Sequence, residues 1–240
     1  MRVLAFSDVH ADTEACRDLA QRSERADLVV AAGDFAIRHD ALEPTLEALS
    51  AITKPAAVAP GNNETEDALR AAASAHWPTA TVLHAQVAEV GKARVAALGA
   101  GVPPTGKDWS FDLTEDEAAA ALSRLHQELA GARLDILVTH SPPLGACDEI
   151  ARGQHTGSRA ISEAIPLLRP RLVVCGHVHP AWRQHAWVGS TLVYNAGPLG
   201  ALIDLGPKSI ILSRPHTGPL SGTGQTAWLD DVVVLKIPHA

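Results

Sequence analysis

Leu172-Val173-Val174-Cys175-Gly176-His177-Val178-His179-Pro180 is the stretch on which the fold turns. A valine-rich apolar run of strand length stops at a glycine, and two histidines follow one residue apart. If the run is a buried strand, both imidazoles sit at its C-terminal mouth. Side chains at i and i+2 point the same way while the backbone stays extended, and a turn spreads them across two neighbouring positions. Gly176 permits a bend or a close approach that a side chain would obstruct. Alone, the stretch also fits an ordinary strand ending in two solvated histidines, so its meaning depends on what the rest of the chain brings to it.

Four other apolar runs end in a similar way. Residues 2–8 lead to Ser7-Asp8-Val9-His10, residues 28–32 to Gly33-Asp34, and residues 56–59 to Pro60-Gly61-Asn62-Asn63-Glu64. Residues 134–138 lead to Thr139-His140-Ser141-Pro142-Pro143. Helical spacing fills the intervals at 12–25, 42–49 (with Pro44 in the first turn) and 65–76. Thr114-Glu115-Asp116-Glu117 has the form of a capping box opening a helix to about residue 129, and another helix is expected at 159–168. This alternation predicts an α/β fold with a mainly parallel sheet covered by helices. Between 81 and 98, broken at Gly91-Lys92, an antiparallel hairpin is expected, with later strands near 181–188, 191–195 and 232–237. Loops are expected at 99–112, 145–158 and 206–226. With no internal repeat and no shift in composition, residues 1–240 read as one domain.

In open α/β sheets, ligands collect outside the carboxyl ends of the strands. Asp8, His10, Asp34, Asn62, His140, His177 and His179 would meet there. These oxygen and nitrogen donors, with no cysteine among them, suit borderline or hard divalent ions: manganese, iron, cobalt, nickel or zinc, with manganese favoured. They are too many for one ion that must also hold water, and they divide between two. A single carboxylate can bridge ions about 3.5–4 Å apart, the arrangement of two-metal phosphoryl hydrolysis.

Composition narrows the setting. Hydrophobic residues at 46% and charged residues at 20% are ordinary for a globular protein. A formal charge of −7 argues against a general nucleic-acid or anionic-membrane binder, though a metal can supply local charge for a small phosphoester substrate. The N-terminal run meets Asp8 too early for a signal peptide, and no run approaches the ~18 apolar residues of a membrane span. Three dispersed cysteines (Cys16, Cys147, Cys175) lack metal-finger spacing and fit a reducing cytoplasm. Oligomeric state is left open.

Asp8-Val9-His10, Gly33-Asp34, Gly61-Asn62, His140 and Gly176-His177-Val178-His179 resemble, in order, the five blocks of the calcineurin-like metallophosphoesterases. Tyr194-Asn195-Ala196-Gly197 also looks like that family. The resemblance implies a sandwich of two mixed β-sheets flanked by helices, with a dinuclear centre at the loop ends. It implies that Asp8, His10, Asp34 and His179 hold one ion, that Asp34, Asn62, His140 and His177 hold the other, and that Asp34 bridges them. Hydrolysis by a hydroxide held between the ions, with Asn62 steadying phosphoryl charge, would follow. The segments Thr139–Pro143 and Gly153-Gln154-His155-Thr156-Gly157-Ser158 further resemble a subgroup of small bacterial and archaeal phosphodiesterase-like proteins.

The chain departs from this pattern at its third block. Many members read Gly-Asn-His-Asp/Glu where this chain reads Gly61-Asn62-Asn63-Glu64. Asn63 can donate a hydrogen bond to a phosphoryl oxygen but cannot deliver a proton near neutral pH. That favours phosphodiesters, or esters with good leaving groups. The alternatives are a monoesterase in which Glu64 or His39 replaces the missing acid, and a metal-organised scaffold without catalysis. Arg38, His39 and His155 are candidates for substrate contact, with Arg152 beside His155. Trp109 and Trp182 are candidates for stacking on a base.

Overall fold

The computed structural model describes residues 1–215 and 230–238. Strands β1 (Arg2–Phe6), β2 (Leu28–Ala31) and β3 (Ala56–Val58) alternate with helices α1 (Thr13–Ser23), α2 (Leu42–Leu49) and α3 (Glu66–His76). A short β4 (Ala80–Val82) precedes the hairpin of β5 (Gln86–Val90) and β6 (Ala93–Leu98). Then come α4 (Glu115–Leu129), β7 (Ile136–Thr139), β8 (Glu149–Ala151), β9 (Gln154–His155), α5 (Arg159–Leu168) and β10 (Leu172–Cys175). The last strands are β11 (His185–Val188), β12 (Thr191–Asn195), β13 (Ala201–Leu205), β14 (Ser209–Pro215) and β15 (Asp230–Lys236).

Local chemistry sets the helix starts. Asp12 accepts from the N–H groups of Glu14 and Ala15, satisfying two donors that α1 cannot pair internally. Thr114 and Glu117 form the expected capping box of α4. The α5 start has a long-range cap as well, because Glu115 accepts from the N–H groups of Arg159 and Ala160.

The strands form two mixed sheets. One runs β15-β14-β13-β1-β2-β3-β4 and the other β11-β12-β10-β7-β6-β5. Pairing is parallel from β1 to β4 and from β12 to β6, and antiparallel in the remaining pairs. Alternation along each strand then divides the core. Val3, Ala5 and Val30 face Val95, Val138, Val174 and Tyr194 between the sheets. Leu4, Phe6 and Val29 pack beneath α1, α2 and α3 with Leu19, Leu46 and Leu69. On the far side, Leu98, Leu137 and Val173 pack with Leu122, Leu125, Ile161 and Ile165 of α4 and α5. Runs apolar at every position are what strands buried on both faces require. The result is the four-layer sandwich of two mixed sheets flanked by helices.

Four expectations need correction. Alternation predicts one mainly parallel sheet, whereas the strands form two sheets, each with antiparallel pairs at its margins. Residues 206–226 do not form one loop: Ser209–Pro215 is a strand that buries Ile210 and Leu212, and residues 216–226 lie outside the described residues. The 145–158 segment contains the β8–β9 hairpin. The strand expected at 181–188 starts only at His185, because His179–Ala181 turns as a 3₁₀ helix. The 99–112 segment carries no helix or strand.

Candidate metal centre

All five donor-bearing strands run parallel to a neighbour within their sheet, and their C-terminal ends meet at one end of the sandwich. The first sheet brings Asp8, Asp34 and Asn62; the second brings His140, His177 and His179. Close approach demands small residues here. A Cβ on Gly61 would collide with the Asp34 carboxylate, and one on Gly176 with the Asp8 carboxylate. Asp8, His10, Asp34 and His177 all take positive φ, at 54°, 42°, 59° and 66°. For residues other than glycine, that conformation is uncommon and marks places where surrounding structure imposes it.

Two donor groups result, each with its ligand atoms within 4.8 Å of one another: Asp8, His10 and His179, and Asp34, His140 and His177. In the first group His10 Nε2 faces His179 Nε2 at 3.2 Å, while His10 Nδ1 is 3.2 Å from the Ala36 carbonyl. In the second, His140 Nδ1 lies 2.7 Å from the Ala32 carbonyl, which turns Nε2 inward. Asn62 Oδ1 joins this group, 3.1 Å from His140 Nε2 and 3.0 Å from His177 Nδ1. Asp34 stands between the groups, with one oxygen 3.6 Å from His10 Nε2 and the other 3.4 Å from His140 Nε2.

The electrostatics show what the site wants. Burial raises the Asp8 carboxyl above its usual range, and the nearby Asp34 adds to the rise. Burial opposes charge on Asp34 too, but His140, His10 and the Asn63 N–H hold that carboxyl below its usual range. Burial also opposes the His140 cation, yet Asp34 and Asp8 overcome this and push its pKa up to about 10. Burial and His140 together push His177 down to about 3. Burial lowers His179 as well. Two buried carboxylates thus draw a proton onto His140 as their counter-charge. A divalent cation supplies that charge through the same converging lone pairs, so the donor set fits a pair of such ions.

Supporting residues hold the donors in place. Asp8 accepts from Ser7 Oγ (2.5 Å), from the His177 N–H (3.0 Å) and from the Trp182 indole N–H (3.2 Å). Trp182 also stacks on His179, with centroids 4.2 Å apart, so its ring is spent within the centre rather than offered to a base. Glu64, fully buried, accepts from the N–H groups of Asp34, Phe35, Ala36 and Gly61 at 2.7–3.1 Å, tying the loop after β2 to the loop after β3. Burial, with Asp34 beside it, pushes the Glu64 carboxyl up to about 7, against the pull of its backbone donors. Asn63 donates through Nδ2 to Asp34 (2.7 Å) and accepts through Oδ1 from the Arg38 N–H (2.9 Å).

An open cleft of about 760 Å³ lies over both groups. Arg38 and Asn63 line it, as do Ile37, Pro103, Pro104, Lys107, Trp109, Ile150 and Thr156. His39 and His155 do not. His39 Nε2 lies 2.6 Å from the Trp109 carbonyl, and His155 Nδ1 lies 2.7 Å from Asp148. Asn62 Nδ2 donates to Ser110 Oγ, which donates in turn to Asp112. Sequence reasoning missed the supporting roles of Ser7, Glu64, Ser110, Asp112 and Trp182. Ser7 and Glu64 stand within the recognised blocks, one residue before Asp8 and two after Asn62, which is the only signal they carry.

Comparison with known proteins agrees with this architecture. The protein TT1561 from Thermus thermophilus superposes with a TM-score of 0.66 at 19% identity, over 85% of this chain and 93% of that one. A dimetal phosphatase from Danio rerio superposes with a TM-score of 0.61 at 14% identity, over 99% of both chains. In sequence, the chain is 29% identical over 127 residues to the Caenorhabditis elegans UPF0046 protein T07D4.2, a match that takes in 51% of this chain. The chain spans about a third of the length of that curated relative, 31%. The family model for calcineurin-like phosphoesterases matches residues 1–181, a span that contains every donor of both groups. By that match the chain belongs to the calcineurin-like phosphoesterase family.

Proposed function

We propose that this family member is a metal-dependent phosphodiesterase with manganese as its working ion. Asp8, His10, Asp34 and His179 would hold one ion, and Asp34, Asn62, His140 and His177 the other. Divalent ions held there supply Lewis-acid charge to a phosphoryl group and draw a nucleophile from water at neutral pH. The chain's own residues do the positioning. Asp34 reaches toward both histidine groups, Asn63 and Glu64 fix its loop, and Trp182 fixes Asp8 and His179 together. Three buried, unpaired cysteines fit a reducing compartment such as the cytoplasm.

The observation that carries the diester reading is the missing acid. Asn63 has no ionisable proton, and its carboxamide is engaged with Asp34 and the Arg38 backbone. Glu64 is fully buried and turned onto backbone donors, and His39 is not among the residues lining the cleft, which supports neither as a replacement acid. The other ionisable side chains on the cleft wall are the metal-ligand candidates and two cations, Arg38 and Lys107. A site without a dedicated proton donor suits esters whose leaving group departs unaided.

The test compares bis(p-nitrophenyl) phosphate with p-nitrophenyl phosphate on manganese-loaded protein. The expected result is a higher kcat/KM for the diester, and loss of turnover with loss of bound metal in Asp34→Asn. A faster monoester reaction overturns the diester assignment, and full activity in Asp34→Asn overturns the metal centre.

A further inference from the structure

The outer wall of the cleft carries a feature that hydrolysis at the metal centre does not use. The Arg38 guanidinium lies 5.5 Å and the Lys107 ammonium 5.1 Å from the centroid of the Trp109 ring. All three side chains line the cleft. Among the described residues neither cation has a carboxylate partner within 4.0 Å. Two like charges gathered on one ring repel each other, and they do so on a chain of formal charge −7. The ring attracts each cation only modestly at an exposed site. Such an arrangement is relieved by an anion placed between or beside the two.

The loop that presents this wall is pinned. Asp112 accepts from the Thr105 N–H (2.7 Å) and Thr105 Oγ1 (2.8 Å), and also from Ser110 Oγ (2.7 Å). Lys107 and Trp109 lie between those anchors, and His39 Nε2 meets the Trp109 carbonyl at 2.6 Å. Trp109 is therefore held, and its ring carries cations, so it offers positive charge rather than a bare surface for stacking. Exposed Ile37 and Ile150 flank the same cleft.

We propose that Lys107, Trp109 and Arg38 form a subsite for a second phosphoryl group, so that the preferred substrates are organic phosphodiesters bearing a terminal phosphate. A terminal phosphoryl group carries about −1.5 to −2 charges at neutral pH and matches two cations better than a single carboxylate does. This rests on the phosphoester-hydrolase reading of the neighbouring centre, and it makes Lys107 and Trp109 specificity determinants rather than catalytic residues.

The test is equilibrium binding, which needs no turnover. Manganese-loaded protein is titrated with thymidine 3′,5′-bisphosphate and with thymidine 5′-monophosphate in a calorimeter. The expected preference for the bisphosphate is about tenfold, the scale of one charge-assisted contact at an accessible site. It should fall to about twofold or less in Lys107→Gln, return in Lys107→Arg, and persist in Lys92→Gln, a remote exposed control. Equal affinities in the wild-type protein, or a preference untouched by Lys107→Gln, overturn the subsite. Turnover of bis(p-nitrophenyl) phosphate, which has no second phosphate, reports separately on the hydrolase reading.

Discussion

An asparagine presents an oxygen and an amide nitrogen of nearly the same shape, and its neighbours decide which one faces a site. At Asn62 that decision is made by a serine on another loop. Ser110 Oγ gives its proton to Asp112 (2.7 Å), so it must accept from Asn62 Nδ2 (2.9 Å), and the amide oxygen is left facing His140 and His177. Removing this support frees the amide to turn. Ser110→Ala should weaken binding of a divalent ion at the Asp34, His140 and His177 group about 10–100-fold, the usual cost of losing such an outer partner, and leave binding at the Asp8, His10 and His179 group unchanged. Calorimetric metal titration reads this directly, and two unchanged affinities would remove Ser110 from the centre. Nothing in the sequence announces the relay: 48 positions separate Ser110 from Asn62, and Ser-Phe-Asp in a loop has no distinguishing pattern. The ligand candidates, by contrast, were legible because each lies within four residues of the end of a short apolar strand.

The β8–β9 hairpin shows an element organised by one carboxylate. Buried Asp148 accepts from the Gly145 and Gly157 N–H groups (3.0 and 2.9 Å) and faces His155 Nδ1 at 2.7 Å. The hydrogen bond to Asp148, and then its charge, raise the His155 pKa above its ordinary 6.5. A raised value means that the pair supports the hairpin fully below pH 6.5 and loses that support as pH climbs through the folded-state pKa. An NMR titration should find His155 titrating above 6.5 in the wild-type chain and returning to about 6.5 in Asp148→Asn; identical curves would refute the coupling. Because Ile150 and Thr156 of this segment line the cleft, the pair acts on the cleft wall while His155 itself stays off it. Sequence position placed His155 among the candidates for substrate contact; it could not show that the ring faces a partner seven positions back. A similar limit hid β14, whose alternating Ile210 and Leu212 are enclosed by glycine, proline, serine and threonine that read as loop.

At the scale of the whole molecule, each donor group draws from both sheets, so an ion in either one ties the two layers at that end. Ligands that bind only the folded state stabilise it by mass action, about 2.7 kcal/mol per site at one hundred times the dissociation constant. For a chain of this size that corresponds to a rise in Tm of roughly 5–10 °C. Manganese added to chelator-stripped protein should produce such a rise in a thermal melt, and His140→Ala should blunt it; a melt indifferent to metal would count against the centre. Among the described residues no helix is long and apolar enough to cross a membrane. The two-sheet architecture was legible only through the five blocks and the resemblance they carry, since alternation of strands and helices by itself predicts a single mainly parallel sheet; strand order was not legible, because order depends on pairings far apart along the chain. The most distant of these is β1 with β13, which sets Arg2 opposite Asp204 and closes the open side of the first strand. During synthesis the opening residues therefore emerge long before their partner, and until position 205 has left the ribosome β1 presents an unpaired edge able to recruit a neighbouring chain. The span that carries every metal-ligand candidate ends at residue 179, but β1 has a neighbour on only one side without the segment that follows.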